Sequence, residues 1–217
     1  MQFVFLGPPG SGKGTQSALI IEKYKIPHIS TGDMFRKAIA ENSPLGIEAN
    51  KFISKGELVP DDITIKLLFA RISQDDCKQG YLLDGYPRTI PQAIALDDFG
   101  KKIGRPIQLV MNMVIDEELL LNRVKGRRVC KDCNTSFNLQ SKPPIKPGIC
   151  DKCGGELYQR SDDNPESIKI RLHQHRTKTA PLLDYYLKNG TLVANIDSLR
   201  DIPTVFHEIN SYLEKIK

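Results

Sequence analysis

Gly7-Pro8-Pro9-Gly10-Ser11-Gly12-Lys13-Gly14-Thr15 brings together the residue types that hold a polyphosphate. Glycines let successive backbone N–H groups turn inward toward one anion. Lys13 adds a full positive charge for the outer phosphates, and the Thr15 hydroxyl is a ligand for magnesium. The loop follows an apolar run, Phe3-Val4-Phe5-Leu6, with the length of a buried parallel strand. It precedes a helix-like run from Gln16 to Tyr24. Strand, glycine loop and helix is the context a phosphate loop needs, because the helix N-terminus adds partial positive charge at the same spot. The pattern G-x-x-x-x-G-K-[ST] wants Ser or Thr directly after the lysine; here Gly14 intervenes and Thr15 follows.

Tyr81-Leu82-Leu83 reads as a second buried strand, ending in Asp84. An acidic residue at the C-terminal end of a parallel strand lies where such sheets bind ligands. Beside a phosphate loop its expected work is to hold magnesium, directly or through water; the alternative is an Asx-turn before Gly85. Tyr86-Pro87 is a candidate cis peptide that carries Arg88 into the cleft. Later, Cys130-Lys131-Asp132-Cys133 and Cys150-Asp151-Lys152-Cys153 form C-x2-C-x16-C-x2-C, a spacing that suits a structural zinc site. A redox pair and two chance pairs are the other readings. Cys77 stands apart as an ordinary thiol.

Strands at 27–30, 106–115 and 191–196 complete the set that must position these residues. Helices alternate with them: 34–40, 45–54, one capped by Asp61 or Asp62, 91–99, 117–124, a long one started by Asn164-Pro165 and kinked at Pro181, and 201–216. Ser30 or Thr31 can cap the 34–40 helix. His28 reads as a packed strand residue, and His173 and His175 as surface residues. Strict alternation implies an α/β fold, a parallel sheet with helices on both faces. Two stretches interrupt it, one helical at 30–59 and one holding the cysteine pairs and the turn-forming Pro143 to Gly148.

The chain has 217 residues, enough for one α/β core with small insertions, and 40% hydrophobic and 26% charged residues are ordinary for a globular protein. No apolar run approaches a membrane span, and Met1 leads straight into a strand, so the expectation is a cytoplasmic protein without a membrane partner. Five cysteines, an odd count, argue against a disulfide framework. The net charge of +5 suits phosphorylated ligands, and the absence of long basic runs or an aromatic stripe argues against nucleic acid.

Six arginines lie near the interruptions: Arg36 and Arg88 by the first, Arg123, Arg127, Arg160 and Arg171 by the second. Arginine grips phosphate oxygens with a rigid fork. One nucleotide does not need six such forks, whereas two phosphorylated ligands meeting end to end would. Phosphoryl transfer between them needs positioning, charge neutralisation and exclusion of water, which closing flaps supply.

At this point the chain resembles a known family. The loop with Gln16, Ser30-Thr31-Gly32-Asp33-Met34-Phe35-Arg36, Asp84-Gly85-Tyr86-Pro87-Arg88, Gly126-Arg127-Arg128 and Tyr158 to Asn164 are similar to adenylate kinases of the long bacterial type, and the Gly14-Thr15 form of the loop is that family's own. The resemblance spans essentially the whole chain. It implies a P-loop NTPase-like core and the reaction ATP + AMP ⇌ 2 ADP with Mg2+, in a monomer. Its implied domains are core at 1–29, 60–126 and 164–217, an AMP-binding insertion at 30–59 and a zinc lid at 127–163. The implied ATP contacts are Gly10 to Thr15, Arg127, Ser136 and Phe137. For AMP they are Thr31, Arg36, Glu57, Leu58, Val59, Gly85, Tyr86, Arg88, Gln92, Arg160 and Arg171. Lys13, Asp84, Arg88, Arg123, Arg160 and Arg171 carry the implied catalysis, and Cys130, Cys133, Cys150 and Cys153 a structural Zn2+. Tyr86 stands where phenylalanine is more usual. A kinase for UMP or CMP is the nearest alternative, differing in the acceptor pocket.

Overall fold

The computed structural model describes residues 1–217. The chain opens with β1 (Gln2–Leu6), the phosphate loop and α1 (Lys13–Tyr24), then β2 (His28–Ser30), α2 (Thr31–Ala40), α3 (Pro44–Ile53) and α4 (Asp61–Ile72). β3 (Tyr81–Asp84), α5 (Ile90–Lys102), β4 (Leu109–Val114) and α6 (Glu117–Lys125) follow. Three short strands come next, β5 (Arg127–Cys130), β6 (Ser136–Asn138) and β7 (Leu157–Tyr158). The chain closes with α7 (Pro165–Gln174), a π turn (His175–Thr179), α8 (Leu182–Lys188), β8 (Leu192–Asp197) and α9 (Ile202–Leu213).

Five strands form a parallel sheet in the order β2-β3-β1-β4-β8. The chain leaves β1 toward β2 on one side and later crosses from β3 to β4 on the other. Ligands in such sheets bind at this reversal, beyond the C-terminal strand ends. The register sets that edge: Phe5 lies opposite both Asp84 and Met111, and Ser30 is opposite Asp84. The phosphate loop, Asp84 and the start of α2 therefore emerge side by side.

Period-two alternation gives the sheet two buried faces. Val4, Leu6, Leu83 and Val110 pack on one side with Leu68 and Ile72 of α4, Leu96 of α5 and Leu182 and Tyr186 of α8. Phe3, Phe5, Leu82 and Met111 pack on the other with Ile20 of α1 and Val205, Ile209 and Leu213 of α9. Each fully buried side chain of this size contributes about 1.5–3 kcal/mol, so the sheet is the rigid part of the molecule. No helix is long and apolar enough to cross a membrane.

α2 and α3 pack on a core of their own, Phe35, Ala49 and Val59. They meet at Gly46, where an added Cβ would lie 2.1 Å from the Ala38 carbonyl oxygen. Backbone cannot yield as a side-chain tip can. Gly46→Ala is therefore expected to cost about 3 kcal/mol or more, at the upper end for overpacking, read as a lower denaturant midpoint at unchanged slope. A wild-type midpoint would show that the two helices separate without penalty.

Within 127–163, β6-β5-β7 form an antiparallel sheet over Phe137, Leu157, Cys130 and Cys150. Two local expectations are corrected. The long helix does not run on to a kink at Pro181. It widens earlier, over 175–179, because Pro181 offers no N–H and its ring crowds the carbonyl one turn back. Neither Asp61 nor Asp62 caps α4, whose N-cap is Pro60; the Asp61 carboxylate accepts instead from Thr89 and Gln92. Ser30 caps α2, accepting from the Asp33 N–H at 3.2 Å, and Asn164 caps α7.

Candidate active site

A cleft of about 1740 Å³ runs between the C-terminal edge of the sheet, the α2–α3 unit and the β5–β7 sheet. Gly10 to Thr15 form its floor. Gly12 takes φ +93°, a left-handed conformation, and a Cβ there would meet nothing within 4 Å. The backbone at this point faces open space, as a phosphate cradle requires. α1 starts at Lys13, so its positive end points into the same space. The Lys13 ammonium donates to the carbonyls of Gly7 at 2.8 Å and Pro8 at 2.9 Å, which folds it back over the loop. Burial pulls its pKa down to about 8, with Arg88, Arg171 and Arg127 adding to the effect and Asp84 opposing it.

Asp84 lies at the end of β3 and lines the cleft. Burial alone would neutralise its carboxyl. The hydrogen bond from His28 and the charges of Lys13, His28 and Arg88 outweigh that and hold it ionised well below the usual carboxylate range. His28 is more than a packed strand residue: its Nε2 sits 3.4 Å from Asp84 Oδ2, and the ring lines the cleft. Burial disfavours the imidazolium, but Asp84 and Asp33 raise the His28 pKa overall. An ionised carboxylate beside the phosphate loop is a hard oxygen ligand of the kind Mg2+ takes, and the Thr15 hydroxyl lines the same space.

All six expected arginines line this one cleft. Acidic side chains hold four of them. Arg36 reaches Asp33 at 2.5 Å and Arg160 reaches the same oxygen at 3.2 Å, tying the α2 unit to the segment after β7. Arg127 forks onto Asp163, and Arg171 contacts Asp162 at 3.0 Å and Asp163 at 3.1 Å. Arg123 donates to the Ser198 carbonyl. Arg88 has no carboxylate partner; its Nε donates to the Gly85 carbonyl at 2.9 Å. Burial, then Arg171, bring its pKa down to about 10. A phosphate entering here would replace both missing charge and missing hydrogen bonds.

Thr31, Glu57, Leu58, Val59, Gly85 and Gln92 line the same end of the cleft, and Ser136 and Phe137 its other wall. Gln92 is buried. Its Oε1 accepts from the Arg88 N–H at 2.7 Å and its Nε2 donates to Asp61 at 2.7 Å. One N–H and one lone pair stay free on the amide, a donor and acceptor pair for a base edge. Tyr86 is corrected: it is fully buried, its hydroxyl donates to the Gln92 carbonyl at 2.9 Å, and it backs the cleft instead of lining it. Its ring sits in the sheet core, where phenylalanine would pack as well.

Sequence reading missed Asp33 as a partner shared by two arginines, and also missed His28, His175, Thr179 and Ser198, which line the cleft too. Only strand register could have found His28, because its position opposite Leu82 places it two residues from Asp84, on the same face of the sheet. The others depend on packing between distant segments.

The four paired cysteines converge, with all four Sγ atoms within 4.8 Å of one another. Cys130 and Cys153 are 3.4 Å apart and Cys133 and Cys150 3.6 Å. A zinc–thiolate tetrahedron with bonds of about 2.3 Å has edges of about 3.8 Å, so the cluster has the size for one metal ion and is far too wide for disulfides. Cys77 is buried elsewhere, between α4 and β3.

Comparison with known proteins fits this geometry. A family model described as adenylate kinase matches residues 5–191. A protein named adenylate kinase from Bacillus subtilis (strain 168) is 50% identical over 217 residues, covering all of both chains. Similar proteins of that name from Bacillus pumilus and Geobacillus sp. are 51% and 49% identical over 213 residues, 98% of each chain.

Proposed function

This chain belongs to the adenylate kinase family, and from that premise we propose that it moves a phosphoryl group between ATP and AMP, ATP + AMP ⇌ 2 ADP, across the cleft described above. The observation that carries the reading is the arrangement of charge. A phosphate loop with Lys13 at one end and Arg36 and Arg88 at the other lie on either side of Asp84, with Arg123, Arg127, Arg160 and Arg171 around them. Two phosphate chains laid end to end fill such a cleft; one does not.

In this reading the donor's outer phosphates lie on the Gly10 to Thr15 backbone and Lys13, with Arg127, Ser136 and Phe137 over the rest of the nucleotide. The acceptor takes Thr31, Arg36, the Glu57 to Val59 segment, Gly85, Arg88 and the free amide face of Gln92. The transferred group carries its charge past Arg88, Arg123, Arg160 and Arg171. Bound Mg2+, held through Thr15 and Asp84, would neutralise charge on the donor phosphates. The carboxylates now gripping the arginines act as place-holders: they keep buried guanidinium groups paired until phosphate replaces them. The Asp33–Arg160 contact supports a closure in which the segments at 30–59 and 127–163 meet over the site and exclude water, which would otherwise take the phosphoryl group. Those two segments are proposed as the moving parts around a core of 1–29, 60–126 and 164–217.

The proposed resident metal is Zn2+ on Cys130, Cys133, Cys150 and Cys153. It serves a structural role, because all four thiolates are used and none is left to react. Cytoplasmic location and a monomeric state go with this reading: the substrates are soluble nucleotides, and one chain supplies both ends of the cleft.

A coupled assay with ATP and magnesium, offering AMP, UMP, CMP and GMP in turn, tests it. Fast ADP formation with AMP alone is expected. Preference for UMP or CMP would reassign the acceptor pocket around Gln92, and inactivity with every acceptor would overturn the reading.

A further inference from the structure

The π turn does something that an ordinary helix in its place would not. Arg171, His175 and Thr179 are four residues apart, and all three line the cleft. In an α-helix each step of four overshoots one turn by about 40°, so two steps would swing Thr179 about 80° off the face that carries Arg171. The Ala180 N–H reaches back five residues to the His175 carbonyl at 2.8 Å, which widens the turn and cancels that drift.

The same bond redirects the Thr179 hydroxyl. A helical threonine usually donates to the carbonyl four residues back. Thr177 does so onto the His173 carbonyl, whereas in the widened turn the Thr179 hydroxyl crosses to the Arg88 carbonyl at 3.1 Å. Thr179 is buried, so an unmade bond would leave the Arg88 carbonyl without that partner. On the other side of the residue, the Arg88 N–H is fixed by Gln92 at 2.7 Å. The backbone of Arg88 is thus clamped at both ends.

Arg88 needs such a clamp. Asp33, Asp162 and Asp163 orient Arg36, Arg127, Arg160 and Arg171, whereas no carboxylate holds Arg88, and Lys13 and Arg171 repel it. The side-chain bond that aims it, from Nε to the Gly85 carbonyl at 2.9 Å, is made within the same turn, so the direction of the guanidinium follows from how the Arg88 backbone is held. We propose that Thr179 is a positioning residue for Arg88, and that the π turn exists to carry the Thr179 hydroxyl from the Arg171 helix to the Arg88 backbone. The inference rests on the assignment of Arg88 to the acceptor phosphate. Its consequence is that acceptor binding depends on a side chain that need not touch either nucleotide.

The test is steady-state kinetics of Thr179→Val and Thr179→Ser, varying AMP at saturating ATP and the reverse. Valine keeps the shape and removes the donor. It is expected to raise KM for AMP about tenfold, the size of one net hydrogen bond, while KM for ATP moves less than about twofold. Serine keeps the hydroxyl and is expected to restore KM for AMP. A valine variant with a lower Tm and unchanged KM for AMP would make Thr179 a packing residue and overturn the proposal. So would equal shifts for both nucleotides, or a serine variant as impaired as the valine. Thr179→Ala carries the same comparison if valine does not fold. Wild-type activity with AMP is measured alongside: its absence would sink the kinase reading itself, whereas an active wild type with a silent valine variant sinks only the clamp.

Discussion

Lys13→Ala is expected to lower kcat for phosphoryl transfer by about 10³-fold or more, the scale on which a charge at the transferring group acts, while leaving the fold intact. The fold should survive because the ammonium only folds back onto the Gly7 and Pro8 carbonyls and fills no core position. Removing a buried cation from among Arg88, Arg127 and Arg171 relieves repulsion. The unfolded Lys13 has an ordinary pKa, and burial in the fold pulls it down to about 8, so the charged form destabilises the empty protein. Its stability therefore improves as pH rises from about 8 toward 10 in the wild type, a rise that Lys13→Ala should lack. ATP affinity should show the opposite trend, weakening above pH 8 in the wild type because the ammonium that meets the phosphates is lost. Turnover near the wild-type value in a folded Lys13→Ala protein would remove the phosphate-loop assignment.

The second large effect concerns the cysteine cluster. Stripping the metal with a chelator under reducing conditions is expected to lower Tm by roughly 5–10 °C, and zinc should restore it, since about 1 kcal/mol corresponds to 2–4 °C in a chain of this size. The reason is local. The small sheet β6-β5-β7 has a core of only Phe137 and Leu157 beside Cys130 and Cys150, with Cys133 against them. That is too little apolar surface to order the segment without help. Four sulfurs within 4.8 Å of one another are stable as thiolates around a cation; without it they must bind protons or move apart. Cys150→Ser should reproduce the loss, because it removes a buried ligand. A melting curve that does not change in a verified metal-free sample would falsify the structural role. Activity should fall less than stability does, because the four sulfurs are taken up by the metal cluster and have no role in the charge arrangement of the cleft.

Local signals fixed some parts of this molecule before any packing was known. The loop from Gly7 to Thr15 lies between a buried strand and a helix because its glycines, its lysine and the apolar runs on either side are contiguous in the chain. The alternation of strands and helices implied the parallel sheet, since period-two and helical patterns are each written into a few consecutive residues. The spacing of the cysteine pairs implied a metal cluster for the same reason: each knuckle is a local turn. Arginine count and charge suggested two phosphorylated ligands.

Tertiary structure alone decided how those residues are held. Asp33 shares Arg36 with its own helix and Arg160 with a segment over 120 residues away, a pairing that no local pattern encodes. Asp61 looked like a helix cap and became the anchor of Gln92, because α5 brings Thr89 and Gln92 to it. Tyr86 looked like a contact and became core, because the turn after β3 places its side chain in the cluster that holds Tyr186 and Leu96. The π turn at 175–179 follows from Pro181 meeting a helix that packs on both sides, and Thr179 finds Arg88 only through that widening. A chain's periodicity records which face of an element is buried. It does not record which other element that face meets, and charge pairing across the cleft depends on the second fact.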